Sequence, residues 1–127
     1  MTDTKDFPTL DALSAITGVL VTPRGIGAVY EVLDFMTGEG LFTHQLPRVG
    51  REAQSFMVKR IPALAATCEE AKQVTRENYR DWQTVWLARH GETMTVARMG
   101  IEDHEPIDAF SELAEMFPPE RRVIVTR

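Results

Sequence analysis

Apolar side chains recur every three or four positions through most of this chain, and glycine or proline cuts the pattern into short pieces. Ile26, Val29, Tyr30, Leu33 and Met36 form one such stripe, closed by Gly38. That spacing places all five on one face of a helix, and a glycine at the end can take the left-handed conformation that stops it. The spacing predicts a helix over about 26–37. Leu10, Leu13, Ile16 and Leu20 predict an earlier one, with Thr9 as its N-cap and Asp11 in its first turn. Val49, Ala53, Phe56, Met57 and Ile61 predict a third, opened by Pro47 and ended by Pro62.

Thr67-Cys68-Glu69-Glu70 has the form of a capping box and predicts a short helix over about 68–73. Thr75 is placed to cap another over about 76–89, with Tyr79, Trp82, Val85 and Trp86 on its apolar side and Gly91 as its stop. From Glu92 the period changes. Thr93 to Val96 read as a strand, Pro106 opens a last helix through Phe117, and Arg122 to Thr126 read as a final strand. The expectation is a single α+β domain over 1–127, mostly helical. Its helical part, with about five helices, is residues 9–91; residues 92–127 make a strand-helix-strand (β-α-β) unit whose two strands run parallel.

Composition supports an ordinary folded domain. The chain has 127 residues, enough to bury a core without disulfide or metal staples, and 43% hydrophobic with 26% charged residues argues against disorder. The lone Cys68 cannot form an internal disulfide, and Glu69 and Glu70 beside it disfavour a thiolate, so it reads as a small, partly buried apolar residue. Met1 to Asp6 lack the basic-then-apolar pattern of a secretory leader, and no apolar run approaches the roughly 18 residues of a membrane span. A soluble, cytoplasmic chain with no membrane partner is expected.

The net charge is −5 and the isoelectric point about 5.2. Both ends are acidic and the middle is mildly basic. A direct nucleic-acid binder carries a basic footprint, so none is expected here. An acidic surface suits a basic protein partner. The densest acidic group is Glu102, Asp103, Glu105, Asp108, Glu112 and Glu115. It lacks the spacing and the glycine of a calcium loop, and His44, His90, His104 and Cys68 lack paired zinc spacing. No metal and no cofactor are expected.

One motif suggests catalysis. Leu87-Ala88-Arg89-His90-Gly91-Glu92-Thr93 resembles the signature of the histidine phosphatases and phosphoglycerate mutases. The resemblance implies a phosphoryl acceptor at His90 and a phosphate-binding guanidinium at Arg89. That family places the signature at the end of the first strand of a large α/β domain. Here the preceding residues read as a helix and only 34 residues follow Thr93, too few for the rest of the sheet. The alternative is a helix C-terminus, where Arg89 and His90 complement the dipole. No catalytic residues are expected.

The least regular stretch is Leu41-Phe42-Thr43-His44-Gln45-Leu46-Pro47-Arg48. With Ala15-Ile16-Thr17-Gly18 and Val29-Tyr30-Glu31-Val32-Leu33-Asp34-Phe35-Met36-Thr37-Gly38, it makes the chain similar to a group of small, uncharacterised proteins carried by phages, prophages and plasmids. The resemblance implies a mobile-element setting, in the cytoplasm of an infected or lysogenic bacterium, and supplies no chemistry. The resulting expectation is a non-enzymatic protein that binds a host protein, such as an anti-defence inhibitor of the anti-CRISPR type. Its acidic group would be one partner surface, and Phe42, His44, Gln45 and Arg48 a second. The alternative for that second set is an ordered loop, with His44 and Gln45 satisfying backbone groups at the bend. The rival classes are an enzyme of unrecognised type and a phage structural or assembly factor.

Overall fold

The computed structural model describes residues 3–107 and 109–115. In chain order these are β1 (Thr4–Pro8), α1 (Thr9–Thr17), α2 (Ile26–Thr37), a single 3₁₀ turn (Thr43–Gln45), α3 (Leu46–Arg60), α4 (Leu64–Ala71), α5 (Tyr79–His90), β2 (Thr93–Ala97) and α6 (Ala109–Glu115). The fold is mixed and mostly helical, with six helices and a two-stranded antiparallel sheet among the described residues.

Helix α1 is the hub and packs against α2, α3, α4, α5 and both strands. It is only nine residues long, yet Ala12, Leu13, Ala15 and Ile16 are all buried. Around it the core collects Val32, Leu33, Met36, Val49, Met57, Leu64, Trp86 and Val96 from every layer. Such a central helix must also bury polar atoms, and each of these has a partner. The Ser14 hydroxyl donates to the Leu10 carbonyl at 2.8 Å and accepts from the Val21 and Thr22 amides at 3.0 and 3.1 Å. Buried Asp11 accepts from the Thr22 hydroxyl and from Arg24. Among the described residues no buried side-chain polar atom lacks a partner, as burial requires.

The helices expected over 26–37 and 47–61 form as α2 and α3. Helix α1 stops at Thr17, because Gly18 adopts φ +78° and donates back to the Ser14 carbonyl. Leu20 therefore leaves the helix and stands half exposed.

Three capping assignments change, among them Thr75, which lies before α5: that helix begins at Tyr79 with Asn78 as its N-cap, and the Thr75 hydroxyl accepts from the Glu77 and Asn78 amides in the turn ahead of it. Thr9 is not the N-cap of α1: that position is Pro8, and the buried Thr9 hydroxyl donates to the Gly91 carbonyl. Thr67 lies inside α4, which begins at Leu64, so the capping box does not form. Thr67 is buried and bonded to the end of α5 instead.

The sheet differs most from expectation. Strand β2 forms where the sequence predicts it, but it pairs antiparallel with β1, from Thr4↔Ala97 to Pro8↔Thr93. The expected parallel β-α-β unit is therefore not the arrangement of β2 among the described residues; its second strand, 122–126, lies outside them. Strand β1 carries one buried apolar side chain, Phe7, so it has almost no alternating signature of its own. Its pairing is decided by Met94 and Val96 of β2, both buried in the core.

Candidate functional site

Arg48 sits in the first turn of α3, placed there by Pro47, whose fixed φ suits a helix start. Its guanidinium grips Glu112 of α6 in a fork, Nε to Oε2 at 2.9 Å and Nη2 to Oε1 at 3.0 Å. Nη1 reaches Glu52 one turn on at 3.0 Å and the Glu105 carbonyl at 2.7 Å. Both Arg48 and Glu112 are largely shielded from water. The fork holds the Glu112 carboxyl below its usual range and lifts the Arg48 guanidinium.

Next to this pair, His104 is only 7% exposed, and both its ring nitrogens face carboxylates. Nδ1 lies 2.6 Å from Glu52 Oε1, and Nε2 pairs with Glu39, just beyond the end of α2. Burial alone would lower the imidazole's affinity for a proton. The hydrogen bonds to Glu52 and Glu39 outweigh it, so the net shift is upward. An imidazole between two carboxylates is best satisfied when both nitrogens donate, that is, when it is protonated.

Together these contacts tie the segment from Arg98 to α6 (the strap, below) across α2 and α3. The Glu105 amide donates to Glu52, Gln45 Nε2 donates to the Ile107 carbonyl, and the Met99 amide donates to the Met36 carbonyl. The buried Gln45 also accepts from the Phe42 amide at 2.9 Å, so it satisfies backbone at the bend. Phe42 stacks on His44 and remains exposed.

The two surfaces read from the sequence thus meet. Arg48 and Gln45 of one hold Glu112 and the backbone near Glu105 of the other. Glu102 and Glu105 have exposed side chains, and Asp103 accepts from the Gly100 amide in its own turn. Asp108 lies outside the described residues, and Glu115 is the last residue of α6. Sequence reasoning missed His104, read only as lacking zinc spacing, and its partners Glu39 and Glu52. Neither carboxylate has a local signal, and only the arrival of His104 from over fifty residues away gives them a role.

The phosphatase-like motif lies elsewhere. Leu87 to His90 are the last residues of α5, and Gly91 takes φ +87°. His90 Nε2 is bonded to the Thr67 hydroxyl at 2.9 Å. Arg89 forks onto Glu70, which also accepts from Trp86 Nε1. Burial and the neighbouring Arg89 push the His90 imidazole down. The signature's strand is here a helix, and its arginine is occupied by a carboxylate.

Cys68 is half buried, and burial with Glu69 raises its thiol. Among the described residues no group of His, Cys, Asp and Glu is placed to hold a metal, and no helix is long and apolar enough to cross a membrane.

Residues 7–67, just under half of the chain, match the family model of a domain of unknown function, DUF7736. The match runs from β1 into α4; it includes Glu39, Gln45, Arg48 and Glu52 but not the strap they hold. No curated protein and no solved structure matches the chain.

Proposed function

We propose that this chain is a non-enzymatic binding protein that docks on a host protein through the strap and the 42–45 turn beneath it. The observation that carries this reading is a set of three large apolar side chains left in water. Phe42 is 61% exposed, Ile101 91% and Phe110 71%. Exposed aromatic and aliphatic side chains on a folded domain are typical anchors of a protein interface. Their segments are fastened to the helical body by Arg48 and Gln45, so the anchors are held ready.

Glu102 and Glu105 flank these anchors and the chain carries −5 overall, which favours a partner with a basic surface. With the resemblance to small mobile-element proteins, the concrete form of the proposal is an inhibitor of the anti-CRISPR type. It would act sterically in the bacterial cytoplasm by covering a basic nucleic-acid groove.

The test compares two tagged baits in a bacterial lysate, the wild type and Phe42→Ser/Ile101→Ser/Phe110→Ser. The expected result is one stoichiometric partner, retained by the wild type, lost with the triple variant and released by high salt. Identical capture by both baits sinks the proposed surface.

A further inference from the structure

A second feature lies within the helical body. Where the end of α1 meets the starts of α2 and α3, an open groove of about 340 Å³ is walled by Ala15, Leu20, Ile26, Val29, Leu46 and Pro47. Leu20 and Ile26 stand on its rim, 52% and 53% exposed. Three of its polar side chains are already engaged inside the protein: Ser14 with Leu10, Val21 and Thr22, Thr17 with the Leu13 carbonyl, and Gln54 with the Ile16 carbonyl. The fourth is Arg51, which is exposed and has no partner among the described residues. Among the described residues no carboxylate lines the groove, although the chain as a whole is acidic.

Gly50 completes the case. It sits inside α3, where glycine costs roughly 0.5–1 kcal/mol relative to alanine. Packing does not require it there. A Cβ at Gly50 would meet only the Ala15 carbonyl oxygen, at 3.9 Å. Its bare backbone instead leaves that side of the groove open, next to Arg51.

We propose that this groove is a binding site for a small amphiphilic carboxylate, its apolar body against Leu20, Ile26, Val29 and Leu46 and its carboxylate on Arg51. An apolar slot with one convergent polar group is the usual form of a small-molecule site, and the guanidinium fork matches a carboxylate. Every residue lining the site falls within the 7–67 match, and Arg51 also borders a neighbouring hollow that it shares with Glu102 and Asp103 of the strap.

The experiment titrates the full-length, isotope-labelled protein with octanoate and with 1-octanol, read by amide chemical shifts. The expected result is saturable shifts confined to Gly18, Ile26, Gly50 and their neighbours. Octanoate should bind about tenfold more tightly than octanol, the scale of one charged hydrogen bond. Arg51→Gln should remove that preference and leave octanol binding unchanged. Gly50→Leu should weaken both ligands, and its circular dichroism and melting show whether the fold is kept. If it is not, Arg51→Gln decides alone. Unsaturable or scattered shifts, or equal binding of octanoate to wild type and Arg51→Gln, overturn the proposal.

Discussion

Arg48 of α3 and Glu112 of α6, 64 residues apart in sequence, form a two-pronged ion pair with both partners mostly out of water. Removing one partner of such a pair costs more than the pair contributes, because the other charge is left shielded and unpaired. Glu112→Gln should destabilise the protein by about 1–3 kcal/mol, the range for a lost charged hydrogen bond. Arg48 keeps Glu52 and the Glu105 carbonyl, which limits the loss. Urea unfolding measures it. Hydrogen exchange should show strap amides opening before the α1–α3 core.

His104 gives the strap a pH dependence of definite sign. Its folded-state pKa is raised above the ordinary histidine value of about 6.5. The folded state therefore binds the proton more tightly than the unfolded chain. Its contribution is fully present below about pH 6.5 and is lost as pH rises through the folded pKa. The groups facing His104 are Glu39 beyond α2 and Glu52 on α3, with Arg48 bonded to Glu52 behind them. The urea midpoint of the wild type should fall across that window on going to alkaline pH, and His104→Gln should flatten the slope.

Glu112 acts with the opposite sign. Its folded-state pKa is depressed, chiefly by Arg48. This contribution is present above the ordinary carboxylate value of about 4.3 and is lost as pH falls through the folded pKa. Acid unfolding should begin with release of the strap, seen as loss of strap hydrogen-exchange protection while Trp86 fluorescence is still native-like.

Thr67 accepts from Arg89 and is bonded to His90, joining α4 to the end of α5. Thr67→Val keeps the volume and removes the hydroxyl, so it should cost about 1–3 kcal/mol in thermal or urea unfolding. A loss below a few tenths of a kcal/mol would deny this contact a structural role.

Gly50→Ala should raise stability by about 0.4–1 kcal/mol, because its Cβ meets nothing closer than 3.9 Å and its unfolded state loses freedom. A stabilised variant would mean that the fold does not need this glycine.

The helical part was largely legible because its signals are local. The stripe from Ile26 to Met36 and the left-handed Gly38 lie within one element, and α2 forms where they say. Thr67 misled for the same reason. Its side chain suits a cap locally, but α4 starts one turn earlier and the hydroxyl is held by α5. The site was legible only in pieces. Arg48, Gln45 and Glu112 stood out in sequence, each assigned outward to a partner, whereas they bind inward to one another and to backbone.

The sequence by itself determined that most of the chain is helical and where α2 and α3 run, because apolar spacing, proline and glycine act within a few residues. It also determined the net charge and left the phosphatase-like motif without its strand. Tertiary structure alone decided the rest. β1 is a strand because Phe7 meets Met94 across the sheet, and Glu39, Glu52 and His104 become one network because α2, α3 and the strap converge. Such contacts join residues fifty to ninety positions apart. Their partners are chosen by how the core packs, and no local pattern encodes that choice.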